Sequence, residues 1–269
     1  METETLSTKA QIGEIDIAFA RATLYSALAL GFRSPTEETI ARLGSQDTMA
    51  ALASAAALLD PAREALSSLL TPYSSLLTRN SSLLTLSASH RALFGHTARG
   101  AVPPYETEYG NEAIFQQAQE LGDLTGFYRA FGLTVKPDEH ERPDHISCEC
   151  EFLSFLSLKE AYAFEHGDGE MLEETRKAQK LFLKDHLGRF VPTFAQKLAG
   201  EDALGFYARL ADICLRLVTL ESARLRVTLG GPNIVLRPAD DDRVPMACGS
   251  GAECMAMPGT GTAEGDDTI

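Results

Sequence analysis

Alternating apolar and polar strand patterns are nearly absent from this chain of 269 residues. That disfavours a sheet-based fold and leaves helical periodicity as the organising signal. Long apolar runs are missing too: none reaches the roughly 18 residues that a membrane span requires. The longest candidate, Ala18 to Phe32, is broken by Arg21 and carries Ser26. Basic residues are scarce, 24 against 38 acids, which gives a net charge of −14. Nucleic acid needs basic patches and is therefore disfavoured as a partner, whereas solubility and basic ligands are favoured. The five cysteines are odd in number and irregular in spacing, which argues against a disulfide scaffold. The opening METETLSTKAQ is acidic and polar, unlike a secretory signal, so a cytoplasmic location is expected.

Catalytic signatures are lacking as well. There is no GxxxxGK[ST] phosphate loop, no GxSxG elbow, no HExxH and no pair of CxxC motifs. Gly230-Gly231-Pro232 has no strand-and-helix context for binding phosphate. No catalytic residue, metal ligand or cofactor is assigned, and no nucleotide site is identified.

What is present is helical. Hydrophobic residues make up 44% of the chain, ample for a core. Ile12 to Phe32 places Ile15, Phe19, Ala22 and Leu28 or Ala29 on one side of a helix. Ser34-Pro-Thr-Glu37 reads as a capping box with proline at the first helical position, and that helix stops near Gly44. Asp60-Pro61 reads as another start. Ser87 to Phe94, ending at Gly95, closes an N-terminal helical group. A connector rich in Gly, Pro and Thr follows at 96–110, and a helix capped by Asn111 is expected to run towards Phe131, with Gly132 as its stop. Further helices are expected at about 144–165, 168–187 and 201–229, with Val191-Pro192 marking the start of a short piece before Gly200. The expected architecture is all-α: one helical-bundle domain over 1–229 (helices 12–95, hinge 96–110, helices 111–229) and a tail over 230–269. That tail holds seven glycines, four prolines and no aromatic residue. Such a composition buries too little apolar surface to offset ordering entropy, so a mostly disordered acidic tail is expected.

The densest chemistry lies in Glu141 to Leu158, ERPDHISCECEFLSFLSL, a short acidic turn that opens into an apolar helix. Asp144 is placed to cap that helix and His145 to sit in its first turn, partly exposed. From Leu133 to Glu151 there are six acids and two bases, enough to make an acidic patch suited to guanidinium groups. Taken alone, such a patch is equally a solvated loop and a helix cap. His145, Cys148 and Glu149 fall at i, i+3 and i+4, so one helical face can carry all three, although each also reads as an ordinary packed side chain. Cys248 and Cys254, flanked by Met246, Met255 and Met257, are candidates for a thiophilic metal or a regulatory disulfide.

Glu141, Pro143, Asp144 and His145, followed by the apolar helix, resemble the signature of the TorD/DmsD/NarJ family, cytoplasmic chaperones dedicated to molybdenum-cofactor enzymes. Two further stretches carry the resemblance: Val102-Pro-Pro-Tyr-Glu-Thr-Glu-Tyr109 and Phe182-Leu-Lys-Asp-His-Leu-Gly-Arg-Phe-Val-Pro192, with Phe190 where tryptophan is common. Together they span roughly 14–229. The resemblance implies a non-enzymatic chaperone that binds a twin-arginine signal peptide and the catalytic subunit of a molybdopterin oxidoreductase. On that reading the peptide-binding candidates are Glu141, Pro143, Asp144 and His145, with Tyr105, Glu106 and Tyr109 from the connector. His145 is further expected to act as a pH-sensitive donor. The family also implies a monomer or a domain-swapped dimer. The alternatives left open are a NarJ-like assembly factor for a non-exported enzyme, a helical metal or redox enzyme built on His145, Cys148 and Glu149, and an adaptor that binds through its tail.

Overall fold

The computed structural model describes residues 2–60, 66–70, 83–95, 99–111, 116–135, 141–202 and 205–238. Within them the fold is all-α. The elements are helices α1 (Glu2–Phe32), α2 (Glu37–Gly44), α3 (Gln46–Leu59), α4 (Leu83–Phe94), α5 (Gln116–Ala130), α6 (Ile146–His166), α7 (Gly169–Asp185), α8 (Leu187–Glu201) and α9 (Phe206–Leu225), with one 3-10 turn, Glu106–Glu108, and residues 66–70 also helical. Three isolated bridges are the only β pairing among the described residues. One compact unit extends to Arg237. The tail beyond Pro238, with Cys248 and Cys254, lies outside the described residues.

Helices α1 and α6 pack along each other as the central pair, with α3 against α1, α7 against α6, and α8 against α9. The segment Gly13–Phe32 is long and apolar enough to cross a membrane by length and composition alone. In this fold it is a core helix, burying Ala18, Leu24, Tyr25, Leu28 and Phe32. Phe19, expected on the buried side, is instead 47% exposed. Arg21 takes an inward position and is compensated: its Nη2 donates to Glu160 Oε2 at 2.5 Å. Glu160 also accepts from Arg176 Nε at 2.7 Å and Gln179 Nε2 at 2.9 Å. A buried charge persists only where partners of this kind replace water. A second core centre is aromatic, with Phe152 and Phe182 edge-to-face at 4.7 Å and Tyr128 5.1 Å from Phe152.

Several expected boundaries move by a few residues, each for a local reason. The cap of α2 is Thr36, whose hydroxyl accepts from Thr39 N at 3.1 Å, rather than Ser34. Asp60 ends α3; its carboxylate takes a forked bond from Arg216 at 2.8–3.0 Å and accepts from Leu66 N, in the helical residues 66–70, at 3.3 Å. Residues 61–65, where the Asp60-Pro61 start was expected, lie outside the described residues, as does the 112–115 stretch just after Asn111. Gly132 and Gly167 do act as stops, with φ of +72° and +64°, values that a side chain rarely tolerates. Pro192 lies inside α8 rather than at the head of a shorter piece.

After α9 the chain returns as an extended strap over 227–237. Thr193 Oγ1 donates to Gly231 O at 2.9 Å and accepts from Ile234 N at 3.0 Å. Gly110 N donates to Val235 O at 2.8 Å, and Arg237 N to Glu108 O at 2.9 Å. The first residues of the expected tail are thus held against α8 and the connector.

Candidate functional site

The three motif-bearing stretches meet at the N-terminal end of α6. Glu106 N donates to Asp144 O at 2.8 Å and Ile146 N to Pro104 O at 2.9 Å, which ties the connector to the turn before α6. The Asp144 carboxylate is fully buried. It accepts from Thr107 Oγ1 at 2.7 Å, and from Arg142 through Nε at 3.0 Å and Nη2 at 2.8 Å. Those bonds occupy it, so Asp144 is not the cap. His145 is: its Nδ1 accepts from Ser147 N at 3.1 Å. That bond places the imidazole proton on Nε2, which faces Glu141 Oε2 at 3.5 Å. Burial, and secondarily the charges of His90, Arg33 and Arg142, depress the His145 pKa to about 3. The ring stays neutral at physiological pH, contrary to the expectation of a partly exposed, titrating donor.

Glu106 is also buried, linked to His186 Nδ1 at 3.1 Å and to Arg189 Nε and Nη2 at 3.0 and 2.8 Å. Tyr109 is buried, its hydroxyl donating to Pro103 O at 2.8 Å and its ring 5.4 Å from Phe190. Of the seven candidate residues, Asp144, His145, Glu106 and Tyr109 therefore touch protein on all sides. Tyr105, Glu141 and Pro143 reach the surface. Arg142 lies over the Tyr105 ring with Cζ 4.4 Å from the centroid.

Beside this scaffold lies a cleft of about 340 Å³. Leu133, Val135, Phe152 and Phe155 give it an apolar floor, and Glu141, Glu151 and Arg33 stand among its lining residues. Arg33, Glu151 and Phe155 also line a neighbouring cleft of about 310 Å³. That one shares Leu30, Ser154 and Leu158 with a third, of about 340 Å³, bounded by the exposed Phe19. Through these shared residues the three clefts trace a groove along α1 and α6, with Glu141 and Glu151 towards one end and Arg42 lining the other two clefts. Sequence reasoning counted Glu151 in the acidic patch without singling it out, and it missed Arg33 and the course of the groove along α1. The available signal was Phe155 and Leu158, two apolar residues one turn apart, with the acidic Glu151 a turn before them, on a helix whose other face was already accounted for.

Two groups nearby are chemically quiet. Burial pushes the Cys148 thiol up to about 12, which removes its thiolate at neutral pH. Glu149 is fully buried, and neither of its carboxyl oxygens has a hydrogen-bond partner among the described residues. Burial, then the negative neighbours Glu106 and Asp144, raise its pKa well above the usual carboxylate range. Among the described residues no three His, Cys, Asp or Glu side chains gather to hold a metal ion. His145, Cys148 and Glu149 do not converge, so the structure gives no support to the metal-enzyme alternative.

A family model described as nitrate reductase delta subunit matches residues 47–196, more than half of the chain. The chain belongs to that family. It is the TorD/NarJ family that the three motifs resemble. Among its relatives is a perchlorate reductase assembly chaperone protein of Dechloromonas aromatica, 28% identical over 80% of this chain and 93% of the relative. Another is the chaperone protein TorD of Vibrio cholerae, 29% identical over 74% of this chain and 88% of the relative. A selenate reductase assembly chaperone protein of Thauera selenatis is 32% identical over 48% of this chain and 77% of the relative. These family members are named as chaperones, not as enzymes.

Proposed function

We propose that this protein is a system-specific cytoplasmic chaperone for one molybdenum-cofactor oxidoreductase. It binds the twin-arginine leader, and with it the apo-form of the catalytic subunit, and holds that subunit for cofactor insertion before export. The observation that carries this reading is the groove along α1 and α6. An apolar floor of Phe152, Phe155 and Leu133 beside Glu141 and Glu151 complements a ligand whose guanidinium groups precede an apolar stretch. The assembly roles in the relatives' names agree with it. No covalent step is needed. Covering an apolar leader until maturation is complete requires only reversible affinity, and a nanomolar complex already corresponds to about −12 kcal/mol.

A second reading, an assembly factor whose client is not exported and keeps only a remnant leader, is favoured by the nitrate reductase delta subunit description of the family. Calorimetric titration separates the two. The probe is the N-terminal peptide of the molybdoenzyme encoded beside this gene, alongside a Lys-Lys version. Saturable binding that weakens with Lys-Lys and in Glu141→Gln or Glu151→Gln protein supports the leader chaperone. Binding indifferent to the arginines supports the assembly factor, and no binding by folded protein sinks both. Asp144→Ala is a poor control, because removing a buried carboxylate that holds Thr107 and Arg142 disturbs the fold itself.

A further inference from the structure

We propose that Arg33 is a tethered occupant of the groove's guanidinium site, and that a client arginine binds by displacing it from Glu151. This deepens the leader reading and rests on it. Arg33 directly follows α1 and reaches across to α6, where its Nη2 meets Glu151 Oε2 at 2.5 Å. Both residues line the first and second clefts, so the pair stands where the acidic end of the groove meets its apolar continuation. Arg33 also acts on the second carboxylate. Burial raises the Glu141 pKa, and the Arg33 charge is the influence that lowers it. His145 Nε2, on a neutral ring, also faces Glu141, at 3.5 Å. One cation thus serves two carboxylates above the Phe152 and Phe155 floor.

The pair is built to open. The Arg33 side chain is 32% exposed and that of Glu151 62%, so water can take over both partners when they separate. Exposed pairs of this kind are weak. Contrast Arg21 and Glu160, at 1% and 0% exposure, which have no such exit. An incoming pair of arginines offers one fork to each of Glu151 and Glu141, whereas lysines offer point charges without the planar match. At rest the described residues that line the first cleft include two carboxylates, Glu141 and Glu151, and one cation, Arg33. Once Arg33 has swung out, two ligand guanidiniums balance both carboxylates, and the apolar residues that follow have Phe155, Leu158 and Phe19 ahead of them along the groove. Arg33 then sets a threshold: ligands with a single cation or none do not repay its displacement.

The test is titration of the full chain with a synthetic peptide carrying two consecutive arginines ahead of an apolar stretch. It compares wild type with Arg33→Gln, Glu151→Gln and the double variant, each first shown to be folded by circular dichroism and melting. Arg33→Gln is expected to bind about fivefold more tightly, the factor that corresponds to ~1 kcal/mol for an exposed pair. Glu151→Gln is expected to bind more weakly, and the gain from Arg33→Gln is expected to vanish in the double variant. A single-arginine peptide should gain the most from Arg33→Gln. If wild type binds and Arg33→Gln binds equally or more weakly, the displacement idea is overturned while the leader reading stands. If no folded variant binds, both fall. Binding seen only in Arg33→Gln is the strongest form of support.

Discussion

Gly230 donates its N–H to the carbonyl of Gly188 at 2.9 Å. That carbonyl lies four residues before Pro192, which has no N–H with which to close the helical bond. The proline-broken bond of α8 is therefore remade by the strap that follows α9. The approach is close: a Cβ on Gly230 would lie 1.8 Å from Arg189 O, and one on Gly188 would lie 2.2 Å from Leu183 O. Gly230→Ala is expected to push the strap away and leave the Gly188 carbonyl unpaired, at a cost of about 1–3 kcal/mol. Chemical denaturation checks this. Stability unchanged within error would mean that the strap does not bear on α8.

The far end of the strap is anchored by Arg237, which is 2% exposed. Its guanidinium donates to Thr107 O, to Asn111 O at 3.1 Å, and to both oxygens of Glu120 at 2.9 and 3.0 Å. Removing one partner of a buried ion pair strands the other. Arg237→Ala is expected to cost about 3 kcal/mol, the low end of that range, because Glu120 keeps Arg189 at 3.8 Å. Arg237→Lys should fall between, since an ammonium cannot reproduce the fork. Hydrogen exchange should show the connector 105–111 opening first. Equal protection there in Arg237→Ala and wild type would contradict the anchor.

Arg21 and Glu160 give an asymmetric prediction. Without Arg21, Glu160 still has Arg176 and Gln179 within hydrogen-bond distance. Without the Glu160 carboxylate, buried Arg21 retains, among the described residues, only Glu221 as a carboxylate partner, at 3.8 Å. Glu160→Gln should therefore destabilise more than Arg21→Met, with the larger effect about 3–5 kcal/mol and the double variant less than the sum. Burial raises the Glu160 pKa, but Arg21, Arg224, Arg176 and Gln179 outweigh it and the net shift is downward. Its contribution is thus present above the unfolded value of 4.5 and is lost as pH falls through the lower folded value. A urea series from neutral to acid pH reads both effects.

The all-α class and most helix stops were legible because they are local. Gly132 and Gly167 end helices by their own backbone freedom, and the apolar period of Ile146 to Leu156 needs no distant partner. What failed depends on residues far apart in the chain. Asp144 looks like a cap from its neighbours, yet the distant Thr107, joined by the adjacent Arg142, claims its carboxylate and leaves the capping to His145. Pro192 looks like a helix start until Gly230 supplies the missing donor. The motif residues were drawn together as their pattern suggested, but four of them form the scaffold. The groove they support is lined by Arg33, which belongs to no motif, and by Glu151 and Phe155 of the apolar helix that follows the signature.

Glu149 offers the sharpest pH signature. Buried on α6 with both oxygens unpartnered among the described residues, it is raised first by burial, then by Glu106 and Asp144, and opposed by Arg189. The folded protein therefore holds a proton there that the unfolded chain releases above about pH 4.5. Between that value and the raised folded value the native state binds more protons than the unfolded state. Stability must then fall as pH rises, by up to about 1.4 kcal/mol per pH unit. Glu149→Gln has no proton to lose and the same shape. Its stability relative to wild type should grow from pH 5 towards pH 8 and level off once the wild-type acid ionises. Urea denaturation of both proteins across that range isolates the effect, since all other titrating groups are shared. A constant difference would mean that Glu149 is ionised in the fold and has found a partner.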